Sequence, residues 1–102
     1  MREYKVDYAI EAEQDITEIA QWVAKKASRI SARKYIDRIF DEIGDLSFLA
    51  GSLPGSKYRL PLMYHPEAKI LTVCHRKLTV IFHIDGEYVI VDKILPSSLI
   101  TY

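Results

Sequence analysis

Three histidines, one cysteine and a run of three basic residues are the side chains of this 102-residue chain best suited to chemistry. A metal site needs three or four donors at spacings such as paired cysteines or HxxxH. His65, His75 and His83 have neither spacing. In the strand register expected below, His75 lies opposite Leu78 and His83 opposite Tyr88, so the rings do not converge. They read as surface or packing histidines, and the sequence calls for no metal and no cofactor. Cys74 has no base or helix N-terminus in evident reach, so it reads as a small buried apolar residue and not as a nucleophile. His75, Arg76 and Lys77 make a compact basic turn, with Lys57, Arg59 and Lys93 as candidate neighbours. Such a turn can meet RNA, a protein target or an acidic partner. It can equally be a solvated turn, where exposed ion pairs contribute little.

The remaining charges follow helix polarity, then break it. Glu11, Glu13, Asp15 and Glu18 open one helical stretch and Lys25 and Lys26 close it, which suits the macrodipole. The next stretch is reversed. Arg29, Arg33 and Lys34 open it, and Asp41, Glu42 and Asp45 end it, at a cost of about 0.3–1 kcal/mol per charge close to a terminus. An antiparallel helix pair gathers Lys25, Lys26, Arg29 and Arg33 at one tip. Helix stability does not explain that cluster; a partner or the solvent must neutralise it.

Tyr4, Val6 and Tyr8 alternate with Lys5 and Asp7, the period of a strand. From Ile10 the period changes: Ala12, Ile16, Ile19, Ala20, Val23 and Ala27 form one helical stripe. Asp7 offers a weak N-cap, and Trp22 falls off the centre of the stripe. Ser28 or Ser31 caps a second helix. Its stripe is Ala32, Tyr35, Ile36, Ile39, Phe40, Ile43 and Leu46, with Gly44 inside the pattern and Gly51 as a stop. Residues 51–69 are turn-rich; Pro61 and Pro66 forbid a central strand there, and a short strand at 57–60 is the most they allow. Strands follow at 70–75, 78–84 and 88–95. Their turns are Arg76-Lys77 and Asp85-Gly86, the second expected as type I′ because Gly permits positive φ. A two-residue loop at Asp85-Gly86 pairs Ile84 with Glu87 and Phe82 with Val89. Leu78, Val80, Phe82, Val89 and Val91 then face the helices. Thr79, Ile81, His83, Tyr88, Ile90 and Asp92 make a mixed second face, which either receives a partner or is shielded by the Pro-rich loop. The order β-α-α-β-β-β predicts an α+β domain over 1–102, a helical hairpin packed on a small antiparallel sheet. Tyr102 reads as a mobile terminal residue.

Whole-chain properties narrow the function classes. Fourteen basic and fourteen acidic residues cancel, so long-range attraction to nucleic acid is weak. A single cysteine forbids an internal disulfide and suits a reducing cytoplasm. "MREYKVDYAI" lacks the apolar core of a signal peptide, and no run approaches the ~18 apolar residues of a membrane span.

The same elements carry a family resemblance. "YAIEAEQDITEIAQWVAKKASRISARKYIDRIFDEIGDLSFL" resembles the helical hairpin of the ParE branch of the RelE/ParE toxins. "LTVIFHIDGEYVIVDKIL" looks like the hairpin of that superfamily, in which an aromatic-rich strand reaches an Asp-Gly turn and a hydrophobic strand returns. The resemblance covers nearly the whole chain. It implies a bacterial type II toxin–antitoxin module of the plasmid-stabilisation kind, with a cognate antitoxin as hetero-oligomeric partner. Members of the RelE type cut mRNA on the ribosome; those of the ParE type act on DNA gyrase.

The departures favour the second type. The strand arginine of the nucleases falls at Thr79, a second commonly basic position at His83, and the basic segment after the last strand at Pro96, Ser97 and Ser98. Cleavage at a phosphodiester needs cations for the developing charge and a group to move a proton, which Thr79 and Ser98 cannot supply. The resemblance therefore implies a binding toxin without catalytic residues, directed at gyrase and touching nucleic acid only through its antitoxin. The alternatives are a ribosome-dependent endoribonuclease using His75, Arg76 or His83, and a non-toxic relative that only binds an antitoxin. Partner-binding candidates are Ile81, Tyr88, Ile90 and Ile94 on the sheet, Lys25, Arg29 and Arg33 at the helical tip, and Arg76 and Lys77 in the turn.

Overall fold

A computed structural model describes residues 3–100 of the chain; Tyr102 lies outside them. The first strand, β1, is Lys5–Tyr8, and α1 follows at Ile10–Lys26. Ala9 stands at the start of α1 without a side-chain cap. Asp7 does not serve as one: its carboxylate accepts the neighbouring N–H of Tyr8 at 2.9 Å. The second helix, α2, is Arg29–Gly44, and Ser28 does cap it, accepting the N–H of Ser31 at 3.0 Å. Gly44 ends α2 seven residues before the Gly51 stop expected from the sequence. A short α3 (Leu46–Leu49) and a 3₁₀ turn (Ala50–Ser52) continue the path. Where a strand at 57–60 was conceivable, the chain forms a helix, α4 (Arg59–Tyr64), with Pro61 buried inside its first turn. Pro is tolerated there because the first N–H groups of a helix have no intrahelical acceptor.

Three strands follow, β2 (Lys69–Val73), β3 (Leu78–Asp85) and β4 (Tyr88–Pro96). The sheet order is β1-β4-β3-β2. β2, β3 and β4 are antiparallel as expected, while β1 joins the edge parallel to β4, which makes the sheet mixed. The hairpin loop is Gly86-Glu87, not Asp85-Gly86: Asp85 pairs with Tyr88, Ile84 with Val89 and Phe82 with Val91. Among the described loop residues only Gly86 has positive φ, 61°, the pattern of a type II′ turn and not of type I′. Relative to expectation the pairing slides by two residues along β4. An even slide leaves every side chain on its own face, so the face assignment up to Val91 survives the register error.

Beyond Val91 it does not survive. The pairing jumps from Phe82–Val91 to Ile81–Lys93, leaving Asp92 as the extra residue of a β-bulge. One extra residue reverses the alternation that follows. Ile94 therefore turns to the helix side, 3% exposed, and packs with Val80, Phe82, Val89, Val91, Ala12, Ile16, Ile39 and Ile43. The outer face has a second, smaller core. Ile81 is fully buried there with Ala68 and Leu95, covered by Leu60, Ile70 and Ile100. The Pro-rich segment thus shields the sheet. Ile81 and Ile94 are consequently not surface residues, and the four-residue sheet patch expected from the sequence does not exist as one surface. Tyr88 is exposed and Ile90 half-buried. No helix among the described residues is long and apolar enough to cross a membrane.

Candidate functional site: an apolar groove beside the helical hairpin

A groove of about 750 Å³ runs beside the second half of α1. Ile19, Trp22 and Val23 of α1 line it, with Tyr35 of α2, Leu60 and Tyr64 of α4, and Leu78, Leu95, Pro96 and Leu99 from the sheet and its C-terminal end. Trp22 is 63% exposed, Leu99 57% and Tyr64 37%. Each of these is a large apolar side chain held in water next to a concavity, which is how a docking site for another chain looks. Trp22 reaches this position because it lies off the buried stripe of α1; the sequence places it there but does not show what it faces.

Two polar residues of the lining, Asp15 and Lys93, are partnered with each other. Asp15, 8% exposed, accepts Lys93 Nζ at 2.8 Å through Oδ1 and the backbone N–H of Ile94 at 2.9 Å through Oδ2. The bulge at Asp92 explains the second bond: it displaces β4 from the regular ladder, and a carboxylate from α1 satisfies the amide. The hydrogen bond that Lys93 donates to Asp15, aided by the charge of Asp15 and opposed by burial, raises Lys93 above the ordinary lysine pKa. Read from sequence, Asp15 is one of four acids suiting the helix dipole. Its spacing of one from Ile16 and four from Ile19 was the available sign that it lies on the inner face.

Some cations adjoin groove-lining residues in sequence. Lys25 and Lys26 follow Val23, and Lys77 precedes Leu78. The hairpin of α1 and α2 does gather Lys25, Lys26, Arg29 and Arg33 at its exposed end. Among the described residues none of them has an ion-pair partner, and neither do Arg76 and Lys77; the salt bridges present are Arg38–Glu42, His83–Asp92 and Lys93–Asp15.

The basic turn has an unusual backbone. Cys74, His75 and Arg76 all have positive φ, 54°, 56° and 66°. For non-glycine residues each such conformation costs about 1–2 kcal/mol. Three anchors hold it. Glu42 Oε2 accepts the N–H of Cys74 at 3.0 Å, Lys77 donates its N–H to Cys74 O at 3.2 Å, and Ser97 donates its N–H to Lys77 O at 2.9 Å. Arg38 Nε backs Glu42 at 3.2 Å. Cys74 is 2% exposed. Burial pushes its thiol pKa up, and burial together with Cys74 raises that of Tyr35. A thiol so held is not an activated nucleophile.

The histidines are arranged differently from expectation. His83 pairs across the sheet with Ile90, not Tyr88. Its ring stacks on His65, centroids 3.9 Å apart and planes 2° from parallel, and its Nδ1 lies 2.7 Å from Asp92 Oδ2. His65 Nδ1 accepts the N–H of Glu67 at 3.0 Å. Two of the three rings thus do converge, as a stack that fastens the 65–68 segment to the sheet. Stacked rings direct their in-plane lone pairs in parallel, so one cation cannot bind both. No group of three metal-ligating side chains occurs among the described residues. His75 and Arg76 lie in the turn before β3, whereas His83 lies five residues along that strand from Leu78, roughly 17 Å. His75, Arg76 and His83 therefore do not form one site. Thr79 is buried, its hydroxyl 2.8 Å from that of Ser97.

An α+β fold with a helical hairpin on a four-stranded mixed sheet, in the order found here, is ParE-like. A chain of the chromosomal ParDE TA system from P. aeruginosa superposes on it with a TM-score of 0.76, covering 91% of this chain and 95% of that one. The two are 17% identical, so the likeness is one of fold. No protein-family model and no curated protein matches the sequence.

Proposed function

We propose that this protein is the toxin of a type II toxin–antitoxin module, ParE-like, which acts by binding DNA gyrase and is held inactive in the cytoplasm by a cognate antitoxin. The observation that carries the proposal is the groove. It presents Trp22, Tyr64 and Leu99 to water in a fold shared, over nine-tenths of the chain, with a member of a ParDE TA system. An amphipathic helix laid in such a groove buries those side chains, and its acidic residues can meet the exposed Lys25, Lys26 and Lys77, which adjoin groove-lining residues in sequence. Burying an exposed Trp, Tyr and Leu contributes about 1.5–3 kcal/mol each.

Gyrase as target comes from the family resemblance. The competing reading, a ribosome-dependent nuclease, has less support. Its strand cation is replaced by Thr79, whose hydroxyl is engaged by Ser97. The sheet face that such enzymes keep open is filled here around Ile81 and Leu95 by the segment containing α4. Purified protein should inhibit gyrase supercoiling and leave ribosome-bound message intact. Codon-dependent cleavage in the ribosomal A site, without an effect on supercoiling, would reverse the choice. Inertness in both assays, with harmless expression, would favour a non-toxic antitoxin-binding relative.

A further inference from the structure

The geometry points to a built carboxylate-binding site at the β2–β3 turn, His75–Arg76–Lys77, which receives an acidic side chain of the segment that occupies the groove. The identity of that segment rests on the reading above; the affinity of the turn for carboxylate does not.

Three observations converge on it. The first is the backbone. Successive backbone N–H groups in a turn make anion-binding concavities, and Cys74, His75 and Arg76 lie in such a turn. The first of these amides already holds a carboxylate, since Cys74 N–H donates to Glu42. The next two, those of His75 and Arg76, have no acceptor among the described residues. The second is charge. His75, Arg76 and Lys77 are all exposed, and neither Arg76 nor Lys77 has an ion-pair partner among the described residues. Glu42 repels an incoming anion, but Arg38 offsets its charge at 3.2 Å. The third is strain. A left-handed run of three non-glycine residues persists only where its surroundings over-determine it, and such backbone clusters at ligand clamps. Here the anchors come from α2 and from Ser97, so the turn is preorganised before any ligand arrives.

A carboxylate of a polypeptide fits better than the phosphates of a nucleic acid. Lys77 is followed by Leu78 and Ser97 is preceded by Pro96, both lining the apolar groove. A ligand spanning turn and groove needs apolar side chains beside its acid. Two cations and a histidine on a chain of zero net charge also release few counterions from a duplex.

The test is a heteronuclear NMR titration of the full chain with deca-glutamate, alongside a short DNA duplex of equal charge. The amide signals of His75 and Arg76 should shift saturably with deca-glutamate. Arg76→Glu with Lys77→Glu should weaken binding about tenfold or more, the scale of one charge-assisted hydrogen bond. Arg76→Lys, which retains the charge and the turn, should bind within a few-fold of wild type. Trp22→Glu, which damages only the groove, should bind deca-glutamate as wild type does. Shifts confined to residues 25–34, or tighter binding of the duplex at the same amides, would overturn the proposal. Normal deca-glutamate binding by a protein that captures no groove-filling partner would leave the turn site standing and remove the groove reading instead.

Discussion

Asp15 and Ile94 are joined by a hydrogen bond of 2.9 Å between a buried carboxylate and a backbone N–H, 79 residues apart in sequence. The bond exists because β4 is bulged at Asp92, and it ties α1 to the strand that forms one wall of the groove. Asp15→Ala leaves that amide and Lys93 without their acceptor. It should destabilise the protein by about 1.5–3 kcal/mol, the range for hydrogen bonds to a charged group. Asp15→Asn retains an acceptor and should cost less. Urea denaturation of the two variants measures the difference; equal and negligible losses would show that the clamp carries no stability.

The same pair gives a pH dependence with a fixed sign. Lys93 binds its proton more tightly in the folded state, its pKa being raised above 10.5 mainly by the hydrogen bond it donates to Asp15. Its contribution is therefore complete below about pH 10.5 and is lost as pH rises through the raised value. Tyr8 acts in the same direction: burial pushes it up to about 12, so the folded state resists its ionisation and loses stability above pH 10. Unfolding free energies at pH 9 and pH 11.5 should fall less in Asp15→Asn than in wild type, and less in Tyr8→Phe, by separable amounts. Parallel curves for wild type and Asp15→Asn would refute the assignment to Lys93.

Arg76→Gly should stabilise the protein by about 1 kcal/mol, because glycine adopts the observed φ of 66° without the steric cost that arginine bears. Arg76→Ala should give no such gain. Glu42→Ala should lower stability by about 1–2 kcal/mol, since it removes the acceptor of the Cys74 N–H. Thermal melts of the three variants would decide it; a stabilised Arg76→Ala would mean that the side chain and not the backbone sets the cost.

Ile81→Asp should unfold the chain instead of weakening an interface, because Ile81 is fully buried against Ala68 and Leu95. A buried unpaired carboxylate costs several kcal/mol. A folded Ile81→Asp protein by circular dichroism would contradict the covered outer face.

The order of the two long helices and the four strands was legible because each has a strong period, and Ser28 and the turn near Gly86 punctuate it; the short α3 and α4 have no such period. The faces of β3 and β4 were legible up to Val91 because parity survives an even slip. Ile94 was misplaced because nothing in "VIVDKIL" announces a bulge, which arises from the meeting of β4 with β3 and α1. The parallel edge strand was hidden for a similar reason: four residues near Tyr4 do not say which strand they join. At the site, the exposed cations at the tip and turn could be read from charge order alone. The groove could not, since Trp22, Tyr64 and Leu99 come together only through the path of α4 and the C-terminal turn. The left-handed run at Cys74, His75 and Arg76 had no glycine to mark it, and the His65–His83 stack required the 65–68 segment to fold back on the sheet.

Induced expression, with and without the product of the adjoining reading frame, tests the central claim most directly. Wild-type protein alone should arrest growth and inhibit gyrase, and the adjoining product should relieve both effects by forming a stable complex. Trp22→Glu, altering a residue 63% exposed at the groove, should fold normally and remain toxic, yet lose that complex and its relief. A Trp22→Glu protein neutralised as fully as wild type would contradict the groove as the site of the antitoxin, and harmless expression of the wild type alone would contradict the toxin itself.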